Sequence, residues 1–137
     1  MNKIVDFVLD LHESTGAAKT HYDLRIKYPF RDVLASWALP KAKIPIRVGE
    51  KMLAIKTPDH AMYWLTFQGK IPQGQYGAGR ITIAQRGVVT INLWSKTMIV
   101  FVAEGTPLNG RYSLIRTKFK RGPKQENWIL LKARDLS

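Results

Sequence analysis

Short runs of alternating apolar and polar residues, broken by Gly, Pro or Asn, recur along nearly the whole chain and constrain its fold more than any other feature. The candidate strands are 4–9, 21–27, 33–39, 51–56, 63–68, 80–85, 88–94, 98–103, 111–117 and 127–133. They are rich in Val, Ile, Leu, Tyr and Trp, the residues that suit a pleated, half-buried surface. In the longest stretch Ile81 and Ile83, then Val89, Ile91 and Leu93, alternate with polar or small residues, and Gly87 reads as a turn between two strands. Many short strands at such spacing predict a mainly β fold: a compact antiparallel β-barrel, closed or nearly closed, with little helix. One short helix around 13–19 is the only helical expectation. No linker, repeat or low-complexity stretch divides residues 1–137, so a single domain is expected, long enough to bury a core without staples. Trp37 and Trp128 fall inside alternating strands and are read as core aromatics.

Composition narrows the function classes. Cys is absent, which removes disulfides and thiolate metal ligands. No apolar run approaches the ~18 residues of a membrane-spanning helix. The N-terminal stretch is interrupted by Asp6 and Asp10 and lacks a small-residue cleavage site, so it reads poorly as a signal peptide. An intracellular, cytoplasmic location and a monomer are the expectations. Twenty-two Lys and Arg stand against ten Asp and Glu, a net charge of +12. Such a surface attracts polyanions, and nucleic acid is the commonest intracellular one; a plain solubility surface is the bland alternative.

The run HYDLRI carries the chemistry. In a strand, residues two apart share a face, so His21, Asp23 and Arg25 point one way while Tyr22, Leu24 and Ile26 pack the other way into a core. Imidazoles with a carboxylate suit Mn²⁺, Fe²⁺ or Zn²⁺. Two other histidines exist: His12, before a Ser-Thr-Gly turn able to fold it back toward His21, and His60, at a strand end beside Asp59. A metal with Arg25 and Lys41 nearby suits phosphoryl chemistry, because the metal activates water while the cations offset transition-state charge. No Ser-His-Asp or Cys-His arrangement competes. A non-haem iron oxygenase, with His21, Asp23 and His60 as a facial triad, is the weaker reading; Arg111 and Ser113 lie too far beyond His60 for the usual pattern.

Two loops stand apart. Residues 69–79, GKIPQGQYGAG, match no nucleotide-binding glycine pattern and read either as a bulged hairpin needing positive φ or as a loop that approaches a phosphate backbone. Residues 118–124, KFKRGPK, form a basic turn in which Lys118, Lys120 and Arg121 are candidates to track DNA phosphates. Of Tyr63 and Trp64, one must face outward and can stack on an unpaired 3′ base. Arg111 and Lys132 are read equally as surface strand residues or as groove contacts to phosphate.

Several motifs, in order, resemble the 3′-phosphoesterase domain of bacterial DNA ligase D and its stand-alone archaeal relatives: HYDLR (21–25), SWALPK (36–41), GEKMLAIKTPDH (49–60), FQGKIPQGQYGAG (67–79), LNGRYSLIRT (108–117) and NWILLKARD (127–135). The resemblance runs from about Phe7 to Asp135. It implies a β-barrel with its site in a surface groove and a divalent metal, Mn²⁺ or another such as Co²⁺ or Zn²⁺. The implied activity is trimming of 3′ ends in end-joining repair, removing a terminal ribonucleoside and then the 3′-phosphate. By motif, His12, His21 and Asp23 match metal ligands, Arg25 and His60 match groups that contact the scissile phosphate, and Lys41 matches a lysine of the monoesterase step. The implied partners are DNA or DNA/RNA primer-template 3′ ends and a separately encoded ATP-dependent ligase or polymerase. The chain departs from the pattern in five places. Residues 13–20 make a longer connection between His12 and His21, so the loop must bulge if His12 is to reach the metal. Met52 stands at an active-site Arg, Pro58 at an acidic residue and Trp64 at a Tyr; the N-terminal arm is missing. Loss of the Arg and the Tyr hydroxyl is worth about 2–4 kcal/mol of transition-state binding in total. The alternative that follows is a catalytically reduced module that docks on DNA ends or recruits a ligase.

Overall fold

Long-range strand pairing, more than local propensity, sets the element boundaries in the computed structural model, which describes residues 1–16, 19–118 and 125–135. The elements in order are β1 (Lys3–Ser14), β2 (His21–Lys27), β3 (Val33–Leu39), β4 (Lys51–Ala61), a 3-10 helix (Met62–Leu65), β5 (Gly69–Ile71), β6 (Gly79–Trp94), β7 (Met98–Ala103), β8 (Gly110–Arg116) and β9 (Asn127–Lys132). Every pairing is antiparallel. The order β1-β2-β3-β4-β9-β8-β7-β6 is closed by β1 pairing back onto β6, and β5 lies beyond β6 as a short extra strand. Eight strands thus form a closed barrel, as the strand spacing predicts, and closure removes the free edges that an open sheet would expose.

The barrel interior is filled by one face of each strand. Phe7, Leu9, Leu24, Ile26, Ala35, Trp37, Leu39, Ala54, Val89, Ile91, Phe101, Tyr112, Leu114, Trp128 and Leu130 belong to one buried cluster. Trp37 and Trp128 meet edge to face with ring centroids 5.6 Å apart, so both are core aromatics. Because successive side chains alternate, the residues between them on β1, β2 and β3 point out of the barrel.

Three local expectations are corrected. The segment 63–68 is not a strand: Met62–Leu65 is a 3-10 helix. Its apolar residues Tyr63, Trp64 and Leu65 are consecutive, so they cannot alternate, and no strand pairs with them. The helix expected at 13–19 does not form over its described residues, because β1 continues to Ser14 through pairs with β6 as far as Ser14–Gly79. Gly87 is not a turn; it lies inside the continuous strand β6, opposite Phe7. A Cβ there would sit 3.7 Å from the Phe7 ring. No helix among the described residues is long and apolar enough to cross a membrane.

Candidate functional site

The register of β1 to β4 builds the site on the outer face of the barrel. His12 pairs with His21, Asp10 with Asp23, and Val8 with Arg25; Asp23 and Arg25 pair in turn with Ala38 and Ser36, and these with Ile55 and Thr57. A bulge in β1 at Leu9/Asp10 and another between β3 and β4 at Leu34/Ser36 bend the sheet here, a device that re-aims side chains beside sites. The face forms a groove of about 1010 Å³ lined by His12, His21, Asp23, Arg25, His60 and Trp64 together with the loop Gln73–Ala78. The hairpin reading of that loop holds, since β5 pairs with the start of β6 and Gly69, Gly74, Gly77 and Gly79 all take positive φ. The loop also walls the groove.

His12, His21 and Asp23 converge so that one ligand atom of each lies within 4.8 Å of the others. The Asp23 carboxylate meets His12 Nδ1 at 3.1 Å through Oδ2 and His21 Nε2 at 3.2 Å through Oδ1. The far nitrogen of each ring is anchored on the backbone. His12 Nε2–H donates to the Gly77 carbonyl at 2.7 Å, and His21 Nδ1–H donates to the Lys19 carbonyl at 2.7 Å. These bonds fix the tautomers, leaving His12 Nδ1 and His21 Nε2 as the nitrogens turned toward the carboxylate. Metal-binding histidines are held in the same way, one nitrogen on a carbonyl and the other free for the ion. Two imidazoles and a carboxylate fit a borderline divalent ion of the Mn²⁺ to Zn²⁺ series. His60 is not part of this trio, so the set of His21, Asp23 and His60 expected for an oxygenase does not form, although the trio that does form is also two imidazoles and a carboxylate.

Charge is distributed unevenly. The hydrogen bond to Asp23 raises the His21 pKa above its usual 6.5 against the opposing effect of burial. Burial alone would raise Asp23, but the hydrogen bonds from His12 and His21, aided by Arg25, hold it well below the usual carboxylate range. Burial, and then the charge of Arg25, push His60 below 6.5. His60 Nδ1–H donates to the Pro58 carbonyl at 2.8 Å, so Nε2 is the nitrogen left for chemistry.

Arg25 is buried, with 4% of its surface exposed. Its Nη1 donates to Asp10 Oδ2 at 2.6 Å, Nη2 stands 3.6 Å from Asp23, and the guanidinium carbon lies 5.8 Å from the centre of the Trp64 ring. Its Nε, Ser36 Oγ and Thr57 Oγ1 are buried without a hydrogen-bond partner. Asp10 is the residue that sequence reasoning missed. It is wholly buried, and burial pushes its pKa up to about 7 against the pull of Arg25. Its signal was available: it stands two residues before His12 and therefore shares its face.

Other candidates fall elsewhere. Lys41 is exposed in the turn after β3 and does not line the groove, although its neighbour Pro40 does. Lys118 is exposed beyond β8, off the groove lining, and Lys120 and Arg121 lie outside the described residues. Met52 packs against the barrel core. Lys132 is buried, its Nζ 5.3 Å from the Tyr112 ring centre and 3.6 Å from Asp135; neither it nor Arg111 lines the groove.

Residues 12–116 match the family model described as DNA Ligase D 3′-phosphoesterase domain. The chain belongs to that family. It is 39% identical over 124 residues to the multifunctional non-homologous end joining protein LigD of Pseudomonas aeruginosa, covering 87% of this chain and 14% of the relative. The corresponding protein of Mycolicibacterium smegmatis is 36% identical over 141 residues, 94% of this chain and 17% of the relative. The chain therefore spans less than a fifth of the length of these relatives. Within the DNA ligase D phosphoesterase family, the matched segment begins at His12 and contains every groove residue named above.

Proposed function

We propose that this chain is a divalent-metal-dependent phosphoesterase that heals 3′ ends for end-joining DNA repair, removing 3′-terminal ribonucleosides, 3′-phosphates or both. The observation that carries the reading is the convergence of His12, His21 and Asp23, tautomers fixed by carbonyls, in one groove with Arg25 and His60. His12 Nδ1, His21 Nε2 and the Asp23 carboxylate hold the ion, Mn²⁺ or a close relative. Bound there, such an ion polarises a phosphoryl oxygen and lowers the pKa of water.

The protein's own groups supply the rest. Arg25, held by Asp10, presents a fixed positive charge to the phosphate and needs no reorganisation as charge builds up. His60 is depressed by burial and by Arg25. The negative charge of a phosphate entering the groove offsets that of Arg25 and favours a proton on Nε2, which then faces the leaving oxygen as a donor. Trp64 lines the wall where a terminal base lies. Lys41, on the rim beside Pro40, meets the more highly charged terminal phosphate of the monoesterase step. Lys118, Lys120 and Arg121 are the candidate contacts to the phosphates of the strand. The working partners are primer-template 3′ ends and a ligase or polymerase, in the cytoplasm. The alternative of a reduced binding module rests on Met52 and Trp64 in place of an Arg and a Tyr and on a His12 displaced by the longer 13–20 connection; the His12–His21 pairing counts against that displacement and favours the enzyme.

The test is a 5′-labelled primer-template ending in one ribonucleotide, incubated with Mn²⁺ or with EDTA. Shortening to a 3′-phosphate or 3′-OH end in Mn²⁺ alone, lost in His21→Ala, supports the reading. No processing with Mn²⁺, Co²⁺ or Zn²⁺, while DNA binding persists, refutes it in favour of the binding module.

A further inference from the structure

Tyr76 is 82% exposed, yet it lines the groove that holds the His12, His21 and Asp23 trio. Isolated exposed aromatics are ordinary; this one is held in place. Gly74 and Gly77 take φ of 87° and 77° on either side of it. Two turn hydrogen bonds, Gln75 N–H to the Pro72 carbonyl at 3.3 Å and Ala78 N–H to the Gln75 carbonyl at 3.1 Å, close the chain around it. The next residue, Gly77, is the one whose carbonyl anchors His12. Tyr76 is thus one peptide away from the group that orients a candidate metal ligand, and the backbone that carries it at the groove is fixed by these turns.

A second aromatic surface serves the same groove from a different element. Trp64 lines it from the 3-10 helix, with Phe67 4.8 Å from its ring centre and Tyr63 at 5.4 Å, perpendicular to it. Tyr63 is 64% exposed. Flat π-faces on two elements, on a chain of net charge +12, match a polyanion that carries flat aromatic groups. A base offers a free face only when it is not fully stacked in a duplex, so the complementary ligand is a strand end whose last base is unpaired or frayed.

We propose that Tyr76 stacks on the unpaired base at the 3′ end of a nucleic-acid strand, making the glycine-rich loop a base clamp across the groove from the barrel face. The inference rests on the phosphoesterase reading for the nature of the strand end, and deepens it by naming the recognition group and the single-stranded character of the ligand.

The probe is an oligonucleotide with a 3′ overhang whose terminal base is 2-aminopurine, a fluorophore quenched by stacking, titrated with the protein in EDTA so that binding is read without turnover. Wild type is expected to quench it. Tyr76→Ala is expected to lose the quenching and to bind roughly 5- to 150-fold more weakly, the range for one base–aromatic stack, while Tyr76→Phe keeps both. Equal quenching and affinity in Tyr76→Ala overturns the proposal, as does equal quenching of a paired 2-aminopurine at a blunt end. The two readings fail separately. Tyr76-dependent quenching by a protein with no Mn²⁺-supported turnover sinks the phosphoesterase and keeps the clamp. Normal turnover with Tyr76-independent quenching sinks the clamp alone.

Discussion

Replacing Gly77 by Ala tests whether the loop carbonyl, rather than the side chains alone, makes the metal centre. Gly77 has φ of 77°, and a Cβ there would lie 3.5 Å from His12 Cε1 and 3.7 Å from Ile71 Cδ1. Both are ordinary contacts, so space is not the obstacle. The left-handed backbone is: Ala there costs about 1–2 kcal/mol. The bond from His12 Nε2–H to the Gly77 carbonyl is worth about 0.5–1.5 kcal/mol net. The strain equals or exceeds the worth of that one bond, so a shift of the Gly77 peptide that relieves it costs His12 its anchor. Loss of such a supporting bond lowers metal affinity about 10- to 100-fold. Isothermal titration with Mn²⁺ reads this directly. Gly74→Ala is the control, because Gly74 carries the same kind of strain at φ of 87° with nothing within 4 Å of its Cβ, and its carbonyl holds no histidine. Its affinity is expected to stay near wild type. Unchanged affinity in Gly77→Ala, or an equal loss in Gly74→Ala, refutes the reasoning.

Gly79→Ala is expected to destabilise the barrel by about 3 kcal/mol or more, because its Cβ would lie far inside contact distance of the Glu13 carbonyl where β6 meets β1; urea unfolding measures it, and a midpoint near wild type contradicts the pairing. Asp10→Ala takes from the buried Arg25 guanidinium its hydrogen-bonded carboxylate, leaving only Asp23 at 3.6 Å, and is expected to cost about 3 kcal/mol, read by the same assay. In metal-free protein, Asp10, pushed up to about 7 by burial, and His21, raised above 6.5 by Asp23, both bind protons more tightly folded than unfolded. The Asp10 contribution therefore falls as pH rises from about 4 to 7, and the His21 contribution is intact below 6.5 and lost above it. His60, held below 6.5, works the other way up to that value, so melting temperatures in EDTA are expected to decline above pH 6.5, and added Mn²⁺, which competes with the His21 proton, to remove that decline. A melting temperature that rises through neutral pH in EDTA contradicts both assignments.

Much of the site was legible because a strand imposes a period of two. HYDLRI separated His21, Asp23 and Arg25 from the core-facing Leu24 and Ile26 without any knowledge of the fold. The worry over His12 had a structural answer. The β1–β2 register places it opposite His21, so the longer connection does not carry it away from the site. Asp10 obeys the same rule, yet reads in sequence as one polar break in an apolar stretch. The carbonyls of Lys19 and Gly77 carry no side-chain signal at all. Tyr63 and Trp64 have strand-like chemistry, but they sit in a 3-10 helix in which Trp64 meets His60 edge to face. Gly87 looked like a turn because glycine often is one; it sits within a sixteen-residue strand that β1 and β7 both require.

The most direct measurement follows Mn²⁺ binding and 3′-end conversion together, titrating metal-free protein with Mn²⁺ while recording the electron paramagnetic resonance of free ion and the product on a ribonucleotide-ended primer. One ion per chain, activity rising in step with it, and loss of both in His21→Ala are the expected results. Activity in EDTA, or tight Mn²⁺ binding that His21→Ala leaves intact, contradicts the assignment of His12, His21 and Asp23 as the metal centre.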